Sequence, residues 1–277
     1  MADLMKSQSI SISIARSPEK VFEFAADPDT MNVWGKFRIE SMRMVGDLIY
    51  IDTARGSMRV EPLYRKDQLV LDEIVRLDPF EETLLAQRIV PNGQGAEYMI
   101  TLFQPERMSD DVFAKCIKWM EAALMSLKQV MEKGGAAGAR LMPCHIINIS
   151  IDRDPGTVFE FVSQPESLPQ WARVFCRYLE PHGNDWYVHT PQGRVSIRFQ
   201  DDVDTGVIDQ FITPENGPEM LVPMRVTPNN AGTEVIFTLF QTADISDMQF
   251  EIEKQWVRRD LGILNDLLRL RGFEKAA

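Results

Sequence analysis

Two pairs of opposite charge recur in this chain at one spacing: Asp72 and Arg88 return as Asp209 and Arg225, 137 positions later. If the turn at Glu215–Glu219 closes a hairpin centred on Gly217, Asp209 lies opposite Arg225. The same arithmetic about Phe80 sets Asp72 opposite Arg88. A next hairpin turning through Pro228–Gly232 would set Arg225 beside Val235, on the face shared with Phe237 and Leu239. The equivalent face of the first copy would carry Arg88, Tyr98, Ile100 and Leu102. Against an apolar wall, a guanidinium offers two donors in a planar fork, suited to a carboxylate or an enolate-like oxygen. The competing reading is structural: each Asp satisfies its Arg across the strands, and a one-residue slip sends both to the outer face.

The other reactive residues form no familiar constellation. His145, His182 and His189 do not recur between the copies and share no metal-ligand spacing with Cys116, Cys144 and Cys176, so no metal is expected. Seven residues apart, His182 and His189 are expected on opposite faces of a strand. No Gly-x-Ser-x-Gly elbow or phosphate-cradling loop occurs, and no cofactor is called for. Trp34 and Trp171 offer a large apolar face and one N–H donor to a ligand, or else pack between helix and sheet. Met31, Met42, Met44, Met58 and Met99 would line a cavity in copy one or fill its core.

What positions these residues is a repeat. At the offset of 137, Ile10, Ile12 and Ile14 fall on Ile147, Ile149 and Ile151. "VFEF" at Val21 falls on "VFEF" at Val158, Trp34 on Trp171, and "TLFQ" at Thr101 on "TLFQ" at Thr238, with no gap. Two copies of domain length are two domains, not a solenoid. Domain one is read as 1–135 and domain two as 143–277, joined by a linker at 136–142 that begins within the glycine- and alanine-rich "GGAAGAR" of Gly134–Arg140. Each copy opens on a strand of alternating isoleucines. Ser17-Pro18 or Asp154-Pro155 then starts a short helix that stops near Pro28 or Pro165. A second short helix carries the tryptophan, and several strands with glycine-containing turns follow. A long helix begins after Ser109 or Ser246. Its apolar stripe is Phe113, Ile117, Met120, Leu124, Leu127 and Met131 in copy one, and Phe250, Val257, Leu261, Leu264 and Leu268 in copy two. A curved antiparallel sheet needs a cover on its concave face, and that helix supplies it.

Bulk properties exclude some partners. A formal net charge of −11 leaves no basic face for a phosphate backbone, so no nucleic acid is expected. No apolar run reaches the ~18 residues of a membrane span, and the start has no secretory pattern. Three widely spaced cysteines read as reduced thiols of a cytoplasmic protein.

The "VFEF…P…W" opening, the order of elements and the closing helix resemble the START-like, pollen-allergen-like helix-grip superfamily (SRPBCC) over nearly all of both copies. "VPMRVTPNNAGTEVIFTLFQ" resembles its polyketide cyclase/dehydrase-like branch. The resemblance implies an α+β fold: two tandem helix-grip domains, each a curved antiparallel sheet wrapped around a long C-terminal helix. It implies binding of a small hydrophobic or aromatic molecule between sheet and helix. Trp34, Trp171, Arg88, Arg225, Tyr98, Phe237, Met120, Leu124 and Leu261 would then line the sites. The alternative it carries is a polyketide aromatase/cyclase, with Arg88 or Arg225 steadying enolate charge and Asp72 or Asp209 orienting it. A third reading is a protein-binding scaffold. Met99, Phe103, Ile236 and Phe240 are apolar at outward positions, so the outer sheets would meet the other domain or a second subunit in a homodimer.

Overall fold

The computed structural model describes residues 4–35, 39–53, 56–133, 138–183 and 185–274. The first copy runs β1 (Ser7–Ile14), α1 (Pro18–Ala26), α2 (Pro28–Trp34), β2 (Ile39–Val45), β3 (Leu48–Thr53), β4 (Gly56–Arg65), β5 (Val70–Leu77), β6 (Glu82–Asn92), β7 (Gly95–Phe103) and α3 (Asp110–Glu132). The second runs β8 (Cys144–Ile151), α4 (Pro155–Val162), α5 (Leu168–Trp171), β9 (Tyr178–His182), β10 (Asp185–Thr190), β11 (Gly193–Asp202), β12 (Val207–Pro214), β13 (Met220–Asn229), β14 (Gly232–Phe240) and α6 (Asp247–Glu274). Each copy forms a seven-stranded sheet, in the orders β1-β7-β6-β5-β4-β3-β2 and β8-β14-β13-β12-β11-β10-β9. All paired strands with a defined register are antiparallel. A meander whose first strand returns beside its last, with a long helix closing the inner face, is the helix-grip architecture, here present twice. One compact unit spans Met5–Cys144; the other holds Leu4 and the chain from His145 onward.

Local chemistry sets the element boundaries. Ser109 accepts a hydrogen bond from the Val112 amide at the start of α3, and Ser246 caps α6 through the Gln249 amide. Each such cap supplies about 1 kcal/mol. Asp154 caps α4 through the Thr157 amide, whereas Ser17 makes no side-chain cap. Pro28 both ends α1 and opens α2, with Asp27 capping the second helix. The apolar stripe of α3 enters the first core: Phe113, Leu124 and Leu127 are buried, and Ile117, Met120 and Met131 pack against them. Leu261, Leu264 and Leu268 of α6 do the same in the second core, beside Trp171, Val188 and Ile197.

Part of the stretch expected as linker, 136–137, lies outside the described residues. The rest is tied to the first unit's β6–β7 turn. Asn92 Oδ1 accepts from the Met142 amide at 2.7 Å, and the Gln94 amide donates to the Arg140 carbonyl at 3.0 Å. Gly93 in that turn has φ +56, and a Cβ there would lie 2.2 Å from the Arg140 oxygen, so the position admits only glycine.

Candidate functional site

The register corrects the Asp–Arg expectation. Arg225 pairs with Val207 on one side and Ile236 on the other, not with Asp209 and Val235; Asp209 pairs with Pro223. In the first copy Arg88 pairs with Val70 and Met99. Two shifts account for this. The β5–β6 and β12–β13 hairpins centre on 79 and 216, one residue earlier than expected, which moves each arginine's partner by two and leaves Asp and Arg on one face. The β6–β7 and β13–β14 turns are two-residue turns joining Asn92 to Gly95 and Asn229 to Gly232. A two-residue loop shifts the partner by one from the expected centre, and a shift of one changes the face. The inner face therefore carries Tyr98, Ile100 and Leu102, or Val235, Phe237 and Leu239. Arg88 and Arg225 lie on the outer face with Met99 and Ile236. Asp72 and Asp209 share that face with their arginines as diagonal neighbours. Asp72 Oδ1 accepts from the Gln87 amide at 2.8 Å, and Arg225 Nε donates to the Thr205 carbonyl at 2.9 Å. The four charged residues are thus built into the back of each sheet, away from the helix-covered side.

The expected ligand-lining residues are otherwise inside. Tyr98, Leu124, Leu261 and Phe237 are buried, and Met120 packs against the first core. Trp34 and Trp171 are buried too, and their indole N–H groups are already used, donating to Thr30 Oγ1 at 3.2 Å and Ser167 Oγ at 3.1 Å. Met31, Met42 and Met58 pack in a small cluster around Ile49 and Ile51, while Met44 is 60% exposed and Met99 sits on the outer face. His182 and His189 share the outer face of the β9–β10 hairpin, stacked on Tyr187 and Tyr178. His182 ends β9 and His189 lies in the antiparallel β10, so their separation along the chain does not set opposite faces as it would within one strand. Met99, Phe103 and Ile236, expected on outer faces, are buried.

The inner face of the first domain holds a polar cluster that the sequence reading missed. Glu73 of β5 lies between Pro62 of β4 and Leu85 of β6. Its Oε1 accepts from the Tyr64 hydroxyl at 2.7 Å, and its Oε2 accepts from Gln87 Nε2 at 3.0 Å. Gln87 Oε1 in turn accepts from the Tyr98 hydroxyl at 2.6 Å. Burial pushes the Glu73 carboxyl up to about 7, and the nearby Asp72 charge adds to this. The two donated hydrogen bonds pull the other way without cancelling it. Burial, followed by the Glu73 charge, holds both tyrosines in the neutral O–H form well above their usual range. Glu73 and Tyr64 keep some accessible surface although protein surrounds them. So do Leu85, Ile117 and Met120, whereas Leu124 and Leu127 keep almost none; the packing of α3 on the sheet is tightest near its C-terminal half. A carboxyl poised near neutrality can take and return a proton, and neutral phenols donate to developing oxyanions. One signal was legible: Glu73 falls at the parity of Leu71 and Val75, where a strand facing a core should be apolar.

The second domain carries none of these partners. At the offset of 137, Tyr64 becomes the exposed Asp201, Gln87 becomes Met224, Tyr98 becomes Val235 and Glu73 becomes Gln210. Among the described residues, no group of three or more His, Cys, Asp or Glu could hold a metal ion, and no helix is long and apolar enough to cross a membrane. The three cysteines are free; burial raises the Cys176 thiol to about 11.

No family model matches the chain, and no curated protein matches it. Solved structures do. DynU16, "a putative protein in the dynemicin biosynthetic locus", is 13% identical, covers 94% of this chain and 98% of its own, and has a TM-score of 0.38. The di-domain ARO/CYC BexL from the BE-7585A biosynthetic pathway is 14% identical over 95% of this chain and 98% of its own, with a TM-score of 0.39. The di-domain ARO/CYC StfQ from the steffimycin biosynthetic pathway is 11% identical over 96% and 99%, at 0.38. Likeness at these identities and TM-scores transfers neither activity nor residue roles.

Proposed function

We propose that the first domain takes up a small apolar or aromatic carbonyl compound and performs acid–base chemistry on it, an aldol closure with loss of water of the polyketide cyclase type. The observation that carries this is the Glu73 carboxyl, raised to about 7 on the inner face between Tyr64 and Gln87. It is also the reaction class implied by the sequence resemblance. Glu73 as carboxylate removes a proton from the carbon between two carbonyls. Once protonated it no longer needs the Tyr64 hydrogen bond, and Tyr64 turns its O–H to the enolate oxygen. The enolate carbon bonds to a second carbonyl carbon, whose oxygen takes the proton back from Glu73. A second proton abstraction at the same carbon then expels hydroxide, which leaves as water with the proton Glu73 returns. Ile117 and Met120 supply apolar surface for the body of the substrate.

A synthetic poly-β-keto thioester tests this, with product formation and α-carbon deuterium exchange followed by mass spectrometry. Glu73→Gln is expected to lower the rate by about 100-fold or more, and Tyr64→Phe by about 100-fold. In the parent chain the rate rises with pH through the Glu73 titration at about 7. Equal rates for the parent chain and Glu73→Gln would overturn the proposal.

A further inference from the structure

The second domain is not a worn copy of the first. Its inner face reads Val195, Ile197 and Phe199 on β11, then Ile208 and Ile212 on β12, with apolar residues continuing across β13 and β14. Gln210 interrupts this wall. It is 3% exposed, and its Nε2 is buried and meets no acceptor. Its cross-strand neighbours are Phe199 and Val222. These correspond at the 137 offset to Pro62 and Leu85, which flank Glu73. The same place in both sheets is therefore polar: an ionisable acid in one domain, a neutral amide of the same shape in the other.

An amide donor without an acceptor in an apolar wall costs about 1–3 kcal/mol, and Leu or Met would avoid that cost. Phe199, Val222 and Val257 of α6 are apolar and face the core, yet each keeps accessible surface. We infer that the second domain holds a binding site of its own, for an uncharged molecule with an apolar body and one carbonyl oxygen that accepts from Gln210 Nε2. An anion finds no cation at the inner-face positions named above. The amide cannot exchange a proton near neutrality, so the site binds without acid–base chemistry.

The test uses the full chain and two probes of one shape, 9-fluorenone and fluorene, which differ by the carbonyl alone. Dissociation constants are measured for the parent chain, Gln210→Leu and Glu73→Leu. The parent chain is expected to hold the ketone about tenfold more tightly than the hydrocarbon, the worth of one buried hydrogen bond. Gln210→Leu lowers that preference to what the first domain alone contributes and keeps fluorene binding, which also shows the variant is folded. Glu73→Leu leaves the second-domain preference in place, so failure of the first-domain chemistry and failure of this inference are distinguishable. No binding of either probe, equal binding of both to the parent chain, or an undiminished preference in Gln210→Leu overturns it, the amide then being met by a buried water alone.

Discussion

Glu73 shows why a repeat is a partial guide to chemistry. The residues that stand out in the repeat are those kept in both copies, Asp72/Asp209 and Arg88/Arg225 among them. What both copies keep is what the fold needs, and those four residues lie on the backs of the sheets. The inner-face cluster is unlike in the two copies, so it does not stand out in the repeat. Its electrostatics give a prediction. The folded carboxyl is raised from 4.5 to about 7, so folding favours its protonated form. The stabilisation is complete below about pH 4.5 and is lost as pH rises through 7, a total of about 3 kcal/mol from a shift of that size. Urea unfolding at pH 4.5 and pH 8 should therefore show the parent chain losing about 3 kcal/mol relative to Glu73→Gln. A difference that stays constant across that range would mean the carboxyl is not held near neutrality.

At the scale of elements, the order of strands and helices was legible because it rests on periodicity, prolines and caps. Register was not, because it depends on the length of each turn. "PNGQG" and "PNNAG" announce hairpins, yet a centre half a residue away moves every side chain to the other face. The structure shows what fixes them. Asn92 Nδ2 donates to Glu97 Oε2 at 2.9 Å, to Ser13 Oγ at 3.3 Å and to the Met142 carbonyl at 3.0 Å. Ser13 donates to the same Glu97 at 2.6 Å. The set recurs as Asn229, Glu234 and Ser150, and there Asn148 adds a donor to Glu234 at 2.8 Å. Each set ties the last hairpin to the first strand through a buried carboxylate, which is costly to leave short of donors. Asn92→Ala should cost about 2–4 kcal/mol. Asn229→Ala should cost less, because Glu234 keeps both Ser150 and Asn148. Equilibrium urea unfolding of the two variants checks the order, and a larger loss for Asn229→Ala would refute it.

Across the whole molecule, one architecture is used twice with different interiors: a hydrogen-bonded acid in the first, a single amide in the second. The networks behind the sheets are alike, so the divergence is local to the inner faces. Exchanging the one group tests whether the surroundings, and not the carboxyl alone, set its behaviour. Gln210→Glu places an acid where Met224, Val235 and the exposed Asp201 stand in for Gln87, Tyr98 and Tyr64. Burial then raises its pKa with no counterpart of the two bonds that restrain Glu73, so it should titrate above the roughly 7 of Glu73. Being raised, it leaves stability intact at low pH and removes it as pH climbs, by at most about tenfold in the unfolding constant per pH unit for one proton. Asp260 of α6, raised by burial while accepting from the Val174 and Phe175 amides, and the buried Asp209 and Glu234 of this unit are present in both chains, so they cancel from the comparison. Segment-resolved hydrogen exchange between pH 6 and 9, corrected for intrinsic rates, should show β11–β14 losing protection in Gln210→Glu relative to the parent chain, with β4–β7 unaltered. If the new acid titrates below Glu73, or its effect spreads equally over both units, the two interiors are not the distinct environments their residues describe.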